Sequence, residues 1–97
     1  MPVLTVLYGQ PTDPEAFGRH YEEIHVPLAK ALPGATAIRY TLRVDTLAGE
    51  TVFATFRAAF PTREALDAAL ASPEGQAAQE DVPNFADGGV TILVEQD

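Results

Sequence analysis

The sequence predicts an α+β protein with a ferredoxin-like β-α-β-β-α-β order and one four-stranded antiparallel sheet. Two observations carry this prediction. Four segments have the apolar or alternating pattern of strands, and the regions between them place apolar residues at helical spacing behind clear helix-start signals. The chain has 97 residues, the size of one domain, so a single domain over residues 1–97 is expected.

The first half of the chain predicts a strand followed by a long helix. The segment from Pro2 to Tyr8 is almost entirely apolar, as in a strand buried on both faces. Asp13, Pro14 and Glu15 supply an N-cap acceptor, a proline at the first helical position and an acid in the first turn. One apolar stripe then recurs at helical spacing until a Pro-Gly pair ends the helix: Phe17, Tyr21, Ile24, Leu28 and Leu32.

Pro27 is the anomaly of this helix. Proline removes a backbone donor and its ring clashes with the preceding turn. We therefore expect a kink or break near His25 and Val26, which would leave the Glu23 carbonyl without its usual partner. A simple bend of the helix around the core is the alternative.

The second half predicts a hairpin, two helices and a last strand. Residues 37–45 alternate in polarity, residues 46–50 form the expected loop, and residues 51–60 return with Phe53 and Phe56 on opposite faces. The remaining elements are two helices that begin at Pro61-Thr62 and Ser72-Pro73 and a strand over residues 90–95.

Composition excludes several classes of partner. The chain has 6 Lys and Arg against 14 Asp and Glu, a net charge of -8, so nucleic acid and anionic membranes would be repelled. It has no cysteine and therefore no disulfide or zinc-thiolate site. No apolar run approaches the roughly 20 residues of a membrane span, and the first residues resemble a strand more than a signal peptide. A cytoplasmic protein is the expectation.

The face of the sheet that the helices cannot cover predicts a homodimer. Two helices cover one face of four strands, and the second face carries Phe53 and Leu93. A partner subunit that packs sheet to sheet by two-fold symmetry is the simplest cover. We expect Arg39, Arg43 and Arg57 to pair with acids across this interface rather than to clamp an anionic ligand.

His25 is the leading candidate for an acid/base residue. His20 and His25 lie about 70° to either side of the apolar stripe, so helix geometry alone does not choose between them. Tyr21 lies one turn before His25, where phenol and imidazole can touch, and Pro27 distorts the backbone beside it. An imidazole titrates near neutral pH and can act as general acid or base. The alternative is that His25 caps a broken helix.

Further candidates for ligand contact lie around the last loop and on the strands. Asp81 could orient the imidazole and Asn84 could donate to a substrate carbonyl, with Phe85 bounding the same loop. The alternatives are a helix C-terminal acid and a turn residue. Tyr8 and Tyr40 could line a cavity, although core aromatic residues are commoner.

Metal and cofactor sites are disfavoured, and none is expected. His20 and His25 are five residues apart, not the three or four that place two ligands on one helix face. Pairing of His25 with Asp81 or Glu22 around a metal, or ligation of haem by His25 alone, stays open as a minor alternative. The single serine, Ser72, is explained by a helix cap.

With these residues in view, the chain resembles the EthD family of dimeric α+β barrel proteins. The matching pieces span nearly the whole chain, and the first is the most specific of them. At the position of His20, relatives often have a second aromatic residue, so the resemblance makes His25 the family histidine and His20 incidental. The pieces are Phe17-x-x-x-Tyr21-x-x-x-His25-x-Pro27-Leu28, Leu32-Pro33-Gly34, Ala71-Ser72-Pro73-Glu74 and Asp81-x-x-Asn84-Phe85.

The resemblance implies a homodimer with a small apolar pocket between helices and sheet. Members of the wider superfamily isomerise muconolactones, oxygenate polyketides and quinones without a cofactor, close polyketide rings or degrade haem. The leading expectation is a cofactor-independent enzyme of oxidoreductase, isomerase or cyclase type that acts on a small hydrophobic substrate, with His25 and Tyr21 as catalytic residues. The alternatives are a non-catalytic ligand-binding or accessory protein and a haem or metal binder.

Overall fold

The computed structural model describes residues 1–96, so the expected domain over residues 1–97 extends one residue beyond this range. No helix within the described range has the length and hydropathy of a membrane span. The strands are β1 (Val3–Tyr8), β2 (Ala37–Thr41), β3 (Ala54–Ala59) and β4 (Val90–Glu95). The helices are α1 (Pro14–His20), α2 (Val26–Lys30), α3 (Arg63–Ala71) and α4 (Pro73–Asp81), with a π turn (Tyr21–His25) between α1 and α2 and a 3-10 turn (Val82–Asn84) after α4.

The sheet has the order β2-β3-β1-β4, and every pair of neighbours is antiparallel. Strand β1 pairs with β3 and β4, so that Val6 stands opposite Phe56 on one side and Ile92 on the other. The predicted element order and the four-stranded antiparallel sheet are confirmed. The helix-facing side of β1 and β3 supplies most of the strand residues of the core.

The three predicted helix starts are confirmed. At each start the cap residue has extended backbone, and its side-chain oxygen accepts a hydrogen bond from the N–H three residues later. These caps replace partners that the first turn of a helix lacks. The pairs are Asp13 with Ala16 (3.1 Å), Thr62 with Ala65 (3.1 Å) and Ser72 with Gly75 (3.0 Å).

The helix does not break at Pro27. A π turn precedes the proline, and within it the Val26 N–H donates to the Tyr21 carbonyl five residues earlier. The backbone stays helical at His25 (φ -73, ψ -44). The predicted break is therefore wrong, whereas the distortion beside His25 is present as a change in hydrogen-bond spacing.

The extra residue of the π turn rotates the apolar stripe of the helix. Ile24, which the sequence places in the core, is 47% exposed, whereas His25 and Val26 are each 5% exposed. Farther along, Ala29 and Leu32 are buried. His25 thus takes the inward position that an uninterrupted α-helix would give to Ile24.

The hairpin differs from its prediction because both strands are shorter. Residues 42–53 connect β2 and β3 as a long loop. Inside it, the Val44 N–H donates to the Phe53 carbonyl (3.0 Å), and the Val52 N–H donates to the Thr46 hydroxyl (2.8 Å). The alternation that assigns Phe53 to a strand face therefore does not apply to it.

Phe53 belongs to the helix side of the sheet rather than to the uncovered face. Its ring meets Phe17 edge-on with centroids 5.1 Å apart. Phe17 in turn stacks on Tyr21, with centroids 5.6 Å apart and rings 11° from parallel. The prediction that Phe53 contributes to the uncovered face is wrong.

The face of the sheet without helices, called here the open face, mixes charge with apolar surface. Cross-strand register places Arg39, Arg57, Thr5 and Leu93 in one row across all four strands. The Thr5 hydroxyl donates a hydrogen bond to the Glu95 carboxylate. The same carboxylate accepts a hydrogen bond from Arg57 Nε at 3.4 Å. Arg39 has no such partner within residues 1–96, and Leu93 is 43% exposed.

Gly75 is a position at which we expect substitution to destabilise the fold. A Cβ at Gly75 would stand 2.1 Å from the Ala69 carbonyl oxygen and 2.6 Å from that of Leu70. Because both atoms are backbone, Gly75→Ala must shift α4 against α3 and should lower the free energy of unfolding by about 1–3 kcal/mol. Urea denaturation followed by circular dichroism measures this change.

Gly18→Ala is the matched control for this prediction. Gly18 lies in α1, and a Cβ there would meet no atom within 4 Å. Alanine is favoured over glycine inside a helix by about 0.5–1 kcal/mol, so stability should stay unchanged or rise. Equal losses in the two variants would contradict the steric explanation.

Candidate functional site

The candidate site is organised around the carboxylate of Asp81, a buried residue at the end of α4. His25 Nδ1 lies 3.0 Å from Asp81 Oδ2. His20 Nε2 lies 2.8 Å from Oδ1 and 3.0 Å from Oδ2. Asn84 Nδ2 donates to Oδ1 at 3.1 Å. Three side chains thus satisfy one buried charge that would be costly to bury alone.

Two local departures from α-helix bring these side chains together. The π turn closes backbone hydrogen bonds between residues five apart, and this is the spacing of His20 and His25. The 3-10 turn after α4 folds the chain back so that Asn84 reaches Asp81, three residues earlier. Asp81 therefore ties the first helical segment to the end of α4.

The charges of Asp81 and His25 each depend on a balance between burial and hydrogen bonding. Burial raises the pKa of the Asp81 carboxyl, but hydrogen bonds from His20, Asn84 and His25 outweigh it and hold the pKa below its ordinary value of 3.8. Burial lowers the pKa of His25 below 6.5, and the Asp81 carboxylate offsets only part of this effect. At neutral pH Asp81 is therefore ionised and His25 is neutral.

This charge state fixes the tautomer of His25. A carboxylate can only accept, so His25 Nδ1 carries the proton and donates it to Asp81. Nε2 is then the unprotonated nitrogen with a free lone pair. It has no hydrogen-bond partner within residues 1–96 and is not sealed from solvent. This nitrogen is placed and charged as a general base requires.

His25 lines an apolar cavity of about 100 Å³ between the sheet and helices α2, α3 and α4. Tyr8 and Gln79 are the other polar residues of its wall, and Gln79 already donates to the Leu70 and Gly75 carbonyls (3.0 Å each). The apolar wall of the cavity consists of Leu4, Val6, Ala29, Leu32, Phe56, Leu70, Gly75, Ala78, Val82 and Ile92.

Tyr21 supports His25 from the core and does not line this cavity. Its ring stacks on the imidazole with centroids 5.4 Å apart, which agrees with the predicted contact between phenol and imidazole. Its hydroxyl is buried without a hydrogen bond of acceptable geometry in residues 1–96, although Tyr8 is close enough to affect its ionisation. Burial raises the pKa of both phenols far above the ordinary value, so both are neutral donors.

Phe85 and Tyr40 lie outside the cavity wall. The Phe85 ring packs on both imidazoles, with centroids 4.7 Å from His25 and 5.3 Å from His20. Tyr40 packs edge-on against Tyr21 (5.5 Å). Its hydroxyl is 3.4 Å from Glu22, a solvent-exposed residue. The structure brings five of the residues predicted from sequence together around Asp81: His25, Tyr21, Asp81, Asn84 and Phe85. Tyr40 contacts this group only through Tyr21.

A second depression, called here the outer groove, lies on the other side of Asp81. It has a volume of about 250 Å³ and faces His20, Asn84 and Phe85. Its rim carries Asp13 and Asp87, and the Asp87 carboxylate is held by the Thr12 backbone N–H and hydroxyl. The remaining lining residues are Pro11, Ala16, Phe17 and Pro83.

The sequence signals miss one site residue, His20. The family resemblance makes His20 incidental, yet it makes the shortest contact to Asp81. The signal that could have found it is Pro27, because a π turn aligns residues five apart. Tyr8 is considered only as one of two possible cavity aromatics; its place on β1 directly under the helix puts it in the cavity wall.

The free imidazole nitrogens do not converge on a metal position. His25 uses Nδ1 and His20 uses Nε2 for Asp81, so the remaining nitrogens belong to residues that line the cavity and the outer groove respectively. Within residues 1–96, no group of three or more His, Cys, Asp or Glu side chains is placed to hold a metal ion.

Residues 9–89 match the EthD domain. The chain is 40% identical over 92 residues, 93% of its own length, to an uncharacterized 11.0 kDa protein in the thcB-thcC intergenic region of Rhodococcus erythropolis, of which the match covers 88%. Both comparisons cover most of the chain, including all residues that contact Asp81.

Solved structures give the same result. An ethyl tert-butyl ether d (ethd) family protein from Bacillus halodurans C-125 is 31% identical with a TM-score of 0.90, over 100% of this chain and 98% of that one. A dimeric ferredoxin-like protein of unknown function from Jannaschia sp. CCS1 has a TM-score of 0.72 over the full length of both chains. At 21% identity, the second likeness shows the fold alone.

The pKa of His25 predicts a loss of stability on mild acidification. The unfolded chain binds a proton at His25 near pH 6.5, whereas the folded chain binds it only at lower pH. The contribution of neutral His25 is therefore present above pH 6.5 and is lost as the pH falls toward the folded pKa. The loss has a slope of at most about 1.4 kcal/mol per pH unit for one proton. Chemical denaturation at a series of pH values measures this slope.

His25→Gln isolates this contribution. Glutamine cannot take up the proton, so the slope between neutral pH and pH 5 should be smaller than in the wild type. Asp81 contributes at lower pH, because its depressed pKa gives stability that is lost only below its ordinary value of 3.8. Identical slopes for wild type and variant in the upper window would contradict the lowered pKa of His25.

Proposed function

The chain belongs to the EthD family, and we propose that it is a cofactor-independent enzyme that moves a proton on a small hydrophobic substrate, with His25 as the acid/base. The observation that carries this proposal is the free Nε2 of a neutral imidazole in the wall of an apolar cavity, with a carboxylate behind Nδ1. The proposal includes a cytoplasmic location, with which the absence of cysteine is compatible.

The arrangement of Asp81 and His25 supports base catalysis. A buried carboxylate that accepts from one imidazole nitrogen holds the ring in a single tautomer and stabilises the imidazolium that forms when the other nitrogen takes a proton. Phe85 and Tyr21 pack on the same ring and restrict its rotation. Asn84 fixes the carboxylate from its other side. In this proposal Asp81, Asn84, Phe85 and Tyr21 position His25.

Tyr8 is the candidate for stabilising charge on the substrate. Its phenol is neutral and lies in the same cavity wall as His25. In the proposed step, His25 Nε2 takes a proton from a carbon next to a carbonyl group, and the electrons of the C–H bond move to the carbonyl oxygen. The resulting enolate accepts a hydrogen bond from Tyr8, which favours charge at the place where it develops.

The cavity indicates the class of substrate. A wall with few polar groups and a volume of about 100 Å³ suits a single ring, such as a small aromatic ketone or a lactone. Return of the proton from His25 to another carbon gives isomerisation. Attack of the enolate carbon on a second carbonyl group of the substrate gives ring closure, and the alkoxide that forms takes the proton from His25. Transfer of the enolate electrons to dioxygen gives cofactor-free oxygenation, the oxidoreductase outcome. All of these outcomes begin with the same proton removal at His25.

We also propose that the chain forms a homodimer through the open face. The relatives from Jannaschia sp. CCS1 and Thermobifida fusca YX are described as dimeric. On the open face, the edge strand β4 presents Leu93, an apolar side chain that is 43% exposed. The cationic Arg39 of the open face has no acid partner in residues 1–96. A second copy would cover this apolar surface and bring carboxylates to Arg39.

Exchange of the α-protons of acetophenone in deuterium oxide tests the catalytic proposal. This small aromatic ketone needs only the first proton transfer, and NMR follows the loss of its proton signal. We expect the protein to accelerate exchange above buffer. His25→Gln should reduce the protein-dependent rate by about 10²-fold or more, and Tyr8→Phe by about 10²-fold.

Lys30→Gln is the control variant for this experiment, because Lys30 is exposed on α2 and lies outside the cavity wall. Its exchange rate should equal that of the wild type. Saturation-transfer NMR on the same sample detects binding separately from exchange. Binding without any protein-dependent exchange would contradict catalysis and favour a non-catalytic ligand-binding or accessory protein.

A paired substitution tests the dimer. Leu93→Asp adds a charge to the open face and should raise the dimer dissociation constant by about tenfold or more, because the interface would have to bury an unpaired carboxylate. Leu47→Asp makes the same chemical change in the hairpin loop, where the side chain is 97% exposed, and should leave dimerisation unchanged. Analytical ultracentrifugation measures both. A monomeric wild type, or equal effects of the two changes, would contradict this interface.

A further inference from the structure

We propose that His20, Asp81 and His25 form one proton-sharing unit that joins the cavity to the outer groove, in which His20 is the positioning residue that sets the charge of His25. The use of this unit in catalysis rests on the proposed function of His25. The coupling itself is a property of the free protein and can be measured without a ligand.

The geometry places both histidines in contact with one carboxylate. Asp81 Oδ2 lies 3.0 Å from both His25 Nδ1 and His20 Nε2, and Oδ1 lies 2.8 Å from His20 Nε2. His25 lines the cavity, and its side chain is 6% exposed; His20 lines the outer groove, and its side chain is 24% exposed. Phe85 packs on both rings. The carboxylate is thus the polar link between two separate depressions.

The number of charges limits this unit to one proton at a time. With both imidazoles neutral, the unit carries the single negative charge of Asp81. A first proton on either imidazole neutralises the charge of Asp81, although at His25 burial outweighs this attraction. A second proton would leave a net positive charge in a largely buried place, where like charges repel strongly. Protonation of His20 therefore opposes protonation of His25.

The other titratable side chains around Asp81 do not change charge together with His25. Tyr8 on β1 and Tyr21 in the π turn stay neutral because burial raises the pKa of each. In the outer groove, hydrogen bonds from Thr12 lower the pKa of Asp87 and keep it ionised, and Asp13 caps α1. These surrounding groups therefore keep their charges while the charge of His25 changes.

In this unit, loss of a proton from His20 accompanies uptake of a proton by His25, the proposed base. When protonated His20 releases its Nδ1 proton to solvent, the positive charge that opposes His25 disappears. His25 Nε2 can then take a proton from the cavity while its Nδ1–H stays on Asp81. His20 also keeps its Nε2–H on the carboxylate throughout, so the contacts of Asp81 do not have to rearrange.

NMR titration of the imidazole ¹⁵N and ¹³C signals tests the coupling in the ligand-free protein. In the wild type, the His25 signals should show two inflections, one of them at the pH at which His20 titrates. His20→Gln keeps an N–H donor for Asp81 but cannot be charged. In this variant His25 should titrate in one step, with a pKa raised by roughly half a unit or more, the effect of one nearby charge.

Arg19→Gln is the matched control, because it removes a permanent positive charge from the exposed neighbouring position, which makes no contact with Asp81. The His25 curve should match that of the wild type. If His20→Gln also leaves this curve unchanged, His20 only packs and the proposal is wrong.

If His20→Gln does not fold, the wild-type titration decides alone, since independent single inflections for the two histidines would exclude coupling. The ketone exchange assay fails separately from this test. If ketone exchange is absent but the titrations of the two histidines are coupled, the proposed function is wrong and the proton-sharing unit stands. If exchange is normal but the titrations are independent, the proton-sharing unit is wrong and the proposed function stands.

Discussion

The buried Asp81 carboxylate is the constraint on which the rest of the site depends. A charge in that position is tolerated only if hydrogen-bond donors surround it, and the chain supplies three of them, from His20, His25 and Asn84. Meeting this demand fixes the end of α4 against the first helical segment. Asp81 therefore decides how the helices sit over the sheet as well as which imidazole nitrogen is free.

The π turn is the backbone feature that lets both histidines reach Asp81. An uninterrupted α-helix would turn Ile24 inward and separate the two histidines on different sides of the apolar stripe. One additional residue in the turn exposes Ile24 and buries His25, so both imidazoles can reach one carboxylate. Pro27 lies directly after the turn and cannot donate a backbone hydrogen bond, which makes the normal α-helical spacing less favourable at this place.

Local signals in the sequence are sufficient to predict the helices and strands but not all residues of the site. Proline and capping residues mark three helix starts, and alternation marks the strands, because these features act over a few neighbouring residues. The assignment of Phe53 failed since it depends on where β3 begins, which pairing with β1 decides. His20 is not assigned to the site by the family resemblance, because relatives often have an aromatic residue at its position. Its contact with Asp81, 61 residues later in the chain, depends on the π turn, which aligns residues five apart.

Burial of the imidazole is the main reason that His25 stays neutral beside an acid. An imidazole that alone faces a buried carboxylate would be pushed toward the charged form. Here three donors stabilise the ionised carboxylate, and its charge is shared between two imidazoles and an amide. Burial of His25 then outweighs the attraction of Asp81, so the ring keeps an unprotonated Nε2 at neutral pH. A less crowded acid would favour an imidazolium at this position, and the cavity would then face a proton donor instead of a base.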